Sequence, residues 1–250
     1  MHFIYADNAA TTRLSDTALE AMLPYLREEY GNASTLYKLG RSAHNAVASA
    51  RRTFADGIRA IPAEIFFTSG GTESDNWAIK GTAHRLARLG KRHIVTDNIE
   101  HHAVLNSVSA LAREGFEITY VKADADGVVP PQAIRAAIRP DTALVSVMFA
   151  NNELGTIQPV AEIGRICRSA GVLFHCDAVQ AAGILPIDVQ AMNIDLLSMS
   201  AHKFHGAKGV GVLYARRGCV PEAYMDGGEQ EYHHRAGTEN VAGIVGAAAA

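Results

Sequence analysis

The chain has 250 residues, 48% of them hydrophobic, and a formal net charge of −3. That length supports one large domain, or a domain with a small appendage, and a near-balanced charge without a basic run argues against direct binding of nucleic acid. Three cysteines (Cys167, Cys176 and Cys219) with no CxxC pair are too few and too scattered for a disulfide framework or a zinc site, and point to a reducing compartment, the cytoplasm.

The first residues, Met-His-Phe-Ile-Tyr-Ala-Asp, lack the basic-then-apolar pattern of a signal peptide. Leu19, Met22, Leu23 and Leu26 fall on one face of a helix that Ser15 or Asp16 caps. A second helix is expected from about Ala43 to Arg59. Ile65 to Thr68 reads as a strand, followed by Ser69-Gly70-Gly71-Thr72 and a long helix to about Leu89. His93 to Thr96 is the next strand, and Val104, Val108 and Leu111 mark a helix that Gly115 ends. Ile118 to Val121, a short helix from Gln132 to Ile138, and the apolar run Ala143 to Ala150 follow. Val160, Ile163, Ile166 and Cys167 form a helical stripe stopped by Gly171. Val172 to Cys176 is a strand ending at Asp177. Asp195 to Met199 and Gly211 to Tyr214 are the last strands. The final apolar run, Val241 to Ala250, is about half the roughly 20 residues of a membrane span and reads as the start of a helix. Alternating helices and near-continuous apolar strands imply an α/β fold, a mostly parallel sheet with helices on both faces. Ligands of such sheets bind at the carboxyl ends of strands.

Several polar residues fall at those ends. Lys203, in Ser200-Ala201-His202-Lys203-Phe204-His205-Gly206, is either a surface lysine on a loop or an amine crowded enough to lose its proton and attack an aldehyde carbon. Asp177 either caps the next turn or pairs with a protonated pyridine nitrogen. Gln180 lies three residues on. Ser69 to Thr72 is a tight turn or a phosphate cradle at a helix start; neither GxxxxGK[ST] nor GxGxxG occurs. His101 is a structural histidine or one that stacks on an aromatic cofactor and shuttles protons. The doublets His101–His102 and His233–His234 do not suggest a metal. Neighbouring residues of an extended chain face opposite ways, and no cysteine or carboxylate spacing completes a site.

Taken together, Tyr5 to Thr12, Tyr30 to Ser34, Phe67 to Asn76, Glu100-His101, Asn151 to Gly155, His175 to Gln180, Ser200 to Lys203 and Arg235 to Asn240 resemble, in order and across the whole chain, the cysteine desulfurases of the NifS/IscS type. The resemblance implies a class V aminotransferase-type enzyme of fold type I with pyridoxal 5'-phosphate as cofactor. It implies that Lys203 is linked covalently to the cofactor and later moves protons, and that His101 stacks on the ring and serves as acid or base. Asp177 pairs with the ring nitrogen and Gln180 with the phenolic oxygen. Gly71, Thr72, Ser200 and His202 hold the phosphate, and Asn152 lies beside the cofactor and the substrate carboxylate. Thr238 reaches a phosphate in the partner subunit of a homodimer. The implied substrate is L-cysteine, converted to L-alanine, with sulfur passing through an enzyme cysteine persulfide to an iron–sulfur scaffold or tRNA-thiolation protein. No membrane or nucleic-acid partner is implied.

The sequence departs from the family in three respects. The family's sulfur-accepting cysteine and carboxylate-binding arginine lie beyond the matching region, so the chain reads as a fragment lacking the C-terminal small domain. On this reading residues 1–14 are a segment that in the family joins the small domain, and 15–250 are the cofactor-binding large domain. None of the three cysteines present replaces that nucleophile: Cys167 and Cys176 read as core or strand residues and Cys219 as a loop thiol, whose one route to reactivity would be a pKa lowered by nearby arginines. Finally, Glu229 and His233 stand where the family has glycines, and Ala207 where it commonly has proline. Two alternatives stay open: a selenocysteine lyase or other class V enzyme, and a non-catalytic remnant that dimerises or binds sulfur-relay partners.

Overall fold

The computed structural model describes residues 4–250; the first three residues of the 1–14 segment lie outside them. In chain order the elements are α1 (Asp16–Arg27), α2 (Lys38–Gly57), β1 (Ile65–Thr68), α3 (Gly71–Asn76), α4 (Thr82–Ala87), β2 (His93–Asp97), α5 (His102–Arg113), β3 (Glu117–Val121), α6 (Pro131–Ala137), β4 (Thr142–Ser146), α7 (Val160–Ala170), β5 (Leu173–Asp177), β6 (Leu196–Ser200), β7 (Gly211–Ala215), α8 (Gln230–His233) and α9 (Val241–Ala249). One π-turn over Trp77–Gly81 joins α3 to α4, so the expected long helix exists with a bulge in its middle.

The seven strands form one sheet in the order β1-β7-β6-β5-β4-β2-β3. β2, β3, β4, β5 and β6 are parallel, and β7 runs antiparallel to both β1 and β6. The strands alternate between two cores, as a period of two requires. Phe66, Ile94, Leu144, Leu196 and Leu213 pack with Trp77, Ile79, Ala83, Val104, Val108 and Leu111 on the face covered by α3, α4 and α5. Their chain neighbours Phe67, Val95, Val145, Leu197 and Val212 pack with Val47, Phe54, Ile134, Ile163 and Ile244 on the opposite face.

Two expectations need correction. The α1 stripe is only partly covered: Ala18 is buried, but Leu19 and Leu26 are exposed. α1 meets α9 through its small residues, and a Cβ at Gly246 would lie 2.5 Å from Met22 Cγ. α2 starts five residues before Ala43, because Gly40 closes onto Thr35, whose hydroxyl would lie 2.0 Å from an added Cβ. Ser15, by contrast, caps α1 as expected, accepting from the Ala18 N–H at 3.1 Å, and Gly171 ends α7 in the left-handed region at φ 65°.

Glycine in a helix interior normally costs about 1 kcal/mol relative to alanine. At Gly164 in α7 the sign reverses, since an added Cβ would sit 1.9 Å from the Met192 carbonyl oxygen. At Gly57, the last residue of α2, nothing lies within 4 Å. Gly164→Ala should therefore lower stability by about 1–3 kcal/mol, whereas Gly57→Ala should leave it unchanged or raise it slightly. Thermal melts of the two variants check this pair.

Candidate active site

A cleft of about 560 Å³ opens at the carboxyl ends of the parallel strands. Nine of the ten residues singled out from the sequence line it: Gly71, Thr72, His101, Asn152, Asp177, Gln180, Ser200, His202 and Lys203. Thr238 does not. It lies in a separate cleft of about 140 Å³ with Ser69, Glu231 and Arg235.

Asp177 is the last residue of β5. Strand alternation sets it with His175 on the α3/α5 face, opposite Phe174 and Cys176. One carboxylate oxygen accepts the Val179 N–H at 2.9 Å, so Asp177 caps a turn as one reading had it, and it also lines the cleft. Burial pushes its pKa up, opposed by that N–H and by the nearby His101 and Lys203.

Lys203 sits in a 3₁₀ turn, Ala201–Lys203, directly after β6. It is half-buried, and loss of hydration lowers its pKa against the pull of Asp177 and Asp7. Its Nζ donates to the carbonyls of Ala9 and Ala10, and Gln180 Nε2 donates to the Ala9 carbonyl at 2.9 Å. The N-terminal segment is tied down beside them. Thr12 donates its N–H and hydroxyl to the His202 carbonyl, at 2.8 and 2.9 Å, and Thr11 Oγ1 meets His202 Nδ1 at 3.1 Å.

His101 is the N-cap of α5. Its Nδ1 accepts the Ala103 N–H at 3.1 Å, so the neutral ring carries its proton on Nε2. As with Asp177, the structural role and the exposure to the cleft coexist.

The glycine loop is shaped for a close approach. A Cβ on Gly71 would lie 2.6 Å from Val179 Cγ2, and one on Gly211 would lie 2.5 Å from the Gly70 carbonyl carbon. Glu73 holds this loop, accepting from the Ser69 N–H at 3.0 Å and from the Ser69 hydroxyl. Arg235 donates to the same carboxylate through Nε at 2.7 Å and Nη2 at 3.2 Å, which couples the loop to the Thr238 segment. That segment is strained. Glu231, Tyr232 and His233 all have left-handed φ, at 46°, 57° and 66°. It is clamped by a buried bidentate pair, Arg51 Nη1 and Nη2 to Glu231 at 2.7 and 2.8 Å, and by the Phe67 N–H donating to Glu231 at 3.0 Å. Of the two glycine replacements, Glu229 is at φ −83° and needs no glycine, whereas His233 occupies a conformation that favours one.

The arginines do not activate Cys219. Burial and the Asp195 carboxylate, 4.0 Å from Sγ, raise its pKa more than the nearby arginines lower it. Cys167 is pushed up to about 12 and Cys176 also rises, both chiefly by burial.

Sequence reasoning missed a buried layer behind the cleft: Asp75, His175, Asp97 and Glu100, the last two at the end of β2 and just after it. Two signals were available. Asp75 lies four residues after Gly71 on one helix face, and His175 shares the parity of Asp177.

Residues 4–250 match the family model described as Aminotransferase class-V. The chain is 54% identical over 243 residues to a protein named cysteine desulfurase IscS from Methanosarcina thermophila, covering 97% of this chain and 60% of that protein. The protein of the same name from Anaeromyxobacter dehalogenans is 55% identical over 246 residues, covering 97% of this chain and 61% of that one. Among solved structures, a NifS-like protein superimposes with a TM-score of 0.96 at 44% identity, covering 99% of this chain and 68% of that one. A structure described as SspA in complex with cysteine gives 0.95 at 42% identity, covering 98% and 71%. The chain thus spans about 60% of the length of the curated relatives it matches.

Two outcomes are expected at this site. His233 is exposed, so His233→Gly should relieve backbone strain and raise stability by about 1 kcal/mol after the entropy lost to glycine, read as a higher denaturation midpoint. Glu73 is held below its ordinary value of 4.5, burial being outweighed by Arg235 and Ser69. A lowered folded pKa gives stability that is present above the unfolded value and lost as pH falls through the folded one. Glu73→Gln should therefore lower the melting temperature at pH 7, and the gap to wild type should close on acidification. An unchanged gap would contradict the ion pair's role.

Proposed function

The chain belongs to the aminotransferase class-V family, and from that premise we propose that it holds pyridoxal 5'-phosphate and performs the cofactor-dependent part of a cysteine desulfurase reaction, in which L-cysteine gives up its sulfur and leaves as L-alanine. One observation carries the reading: a half-buried lysine, a buried carboxylate, an imidazole and a glycine-opened helix start converge on one cleft of cofactor size. The residues fit the group. Asp177 brings a buried carboxylate to the cleft wall, and Gly71 leaves a cradle that a Cβ would fill.

Bound there, pyridoxal phosphate supplies an aldehyde for an amine and a ring that draws off the electron pair left when Cα loses a proton. Lys203 is the amine that would hold the aldehyde carbon, and the loss of hydration that lowers its pKa makes the neutral, nucleophilic form easier to reach. When free, its amine would take and return a proton at the substrate Cα. Asp177 would hold a proton on the ring nitrogen. His101 would face the ring and exchange a proton at Nε2, because Nδ1 is committed to Ala103. Gln180 donates to the phenolic oxygen in place of the Ala9 carbonyl. Backbone N–H groups at Gly71 and Thr72, with Ser200 and His202, hold the phosphate. Asn152 orients the substrate carboxylate.

Residues 15–250 are the cofactor-binding unit, joined by the segment up to residue 14. Thr238 lies away from the cleft of its own chain, which suits a contact to the phosphate of a second copy in a homodimer. The acceptor of sulfur is an iron–sulfur scaffold or tRNA-thiolation protein, and the setting is the cytoplasm. Among the described residues no helix is long and apolar enough to cross a membrane.

Two measurements test the reading. After loading with cofactor and reduction with borohydride, peptide mapping should place the pyridoxyl tag on Lys203, and Lys203→Ala should lose the visible absorbance band. A tag on another lysine, or none, would refute the proposal. A sulfur-accepting thiol must be a thiolate, and the three thiols here are held protonated at neutral pH. The loaded chain given cysteine should therefore release no sulfide above that from cofactor alone; sustained turnover would show that one of these cysteines does act.

A further inference from the structure

Behind Asp177 lies a second layer of ionisable groups that the proposed reaction does not use. Asp75, on α3, is 1% exposed, lines the cleft, and has an Oδ1 without a hydrogen-bond partner. His175 Nε2 stands 3.6 Å from that oxygen. The His175 ring is fully buried and spans two hydroxyls, Ser146 Oγ at 2.9 Å from Nδ1 and Ser198 Oγ at 3.0 Å from Nε2. Glu100 is buried with both oxygens unpartnered, and Asp97 leaves Oδ2 unpartnered. The Cys176 thiol, on the other face of β5, adds no cation. The cationic side chain that faces the layer is Lys203, which acts on Asp177; His101, its Nδ1 taken by the Ala103 N–H, faces it as a neutral ring.

Buried carboxylates without cations cannot all ionise side by side. His175 offers no countercharge, because burial drives its pKa down to about 3 and leaves it neutral. Asp177 differs from its neighbours in combining a backbone N–H on one oxygen with the nearby amine of Lys203. Asp75 has neither; its loss of hydration and the charge of Asp177 favour the acid form and outweigh a hydrogen bond from the Ser198 hydroxyl. Glu100 is placed the same way, facing Asp97, Asp177 and Asp75.

We propose that Asp75 is a positioning residue for Asp177: a neutral carboxylic acid in the layer behind it that leaves Asp177 as the single charged carboxylate facing the ring nitrogen. An ionised Asp75 would repel Asp177 and share its proton, and the pair would titrate together. The inference rests on the cofactor reading above and assigns within it the group that sets where the charge sits.

The test begins with the cofactor-free chain, so it does not depend on that reading. At pH 7 the infrared spectrum should show a protonated-carboxyl carbonyl stretch that loses intensity in Asp75→Asn; an unchanged band means that Asp75 is ionised and overturns the proposal. In the loaded protein, Asp75→Asn, a neutral near-isostere, should keep cofactor affinity within about threefold, and the pH midpoint of the visible band should not move. Asp75→Ala should weaken binding about tenfold or more, by leaving polar neighbours unmatched. A midpoint shift of about one pH unit in Asp75→Asn, or an alanine variant equal to wild type, would each refute it. If Asp75→Ala does not fold, the infrared band and the asparagine midpoint still decide. A wild-type chain that takes up no cofactor would refute the function proposed above, and the infrared result would still decide the state of Asp75.

Discussion

The constraint on which the site depends is the parity of side chains along the sheet. In each central strand one set of residues faces α3, α4 and α5, and the other faces α2, α6, α7 and α9. Chemistry is confined to the first set. Ser146, His175, Asp177, Ser198 and Ser200 all share the parity of Leu144 and Leu196, so the polar residues of three neighbouring strands meet on one side. A shift of one residue in β5 would turn Asp177 into the apolar core and bring Cys176 to the cleft. Register is therefore a condition for the chemistry as well as for the packing.

The loops add what the strands cannot. The glycine loop after β1 and the segment before α9 come from distant parts of the chain, and carboxylate–guanidinium pairs join them. Arg235–Glu73 ties the loop to the segment, while Arg51–Glu231 clamps the segment to the end of β1. The second pair is buried, where removing one partner strands the other's charge. Its attachment to three successive left-handed residues explains how backbone strain of about 1–2 kcal/mol per residue persists. The segment carrying Thr238 is thus held in place through side chains, even where a histidine replaces a residue better suited to the backbone.

Much of this was legible in the sequence. Apolar strands ending in Asp177, Ser200 and the glycine loop gave the layer order and the end of the sheet where ligands bind, since both follow from local periodicity. What periodicity could not give was partnership across the chain. Nothing near Lys203 in sequence indicates that the Ala9 and Ala10 carbonyls would receive its ammonium. Nothing near Cys219 indicates that burial and Asp195 together would outweigh Arg85, Arg216 and Arg168. The α1 stripe failed for a related reason. Its neighbour α9 is rich in glycine and alanine, so the close approach is made at Ala18 and Met22, and Leu19 and Leu26 are left outside.

The buried acids make the same point in terms of energy. An unpartnered polar group in a protein interior costs about 1–3 kcal/mol, and Asp75 and Glu100 each contain at least one. A structure selected for stability alone would place apolar side chains there. Keeping acids behind Asp177 is intelligible if their protonation sets the electrostatics of the cleft, because a neutral acid adapts its proton to a neighbour's charge and a hydrocarbon does not. The same lack of hydration that lowers the Lys203 pKa raises those of the acids behind it. Asp177 can remain charged there because it combines a backbone N–H with the neighbouring Lys203 amine, which pulls its pKa down against burial.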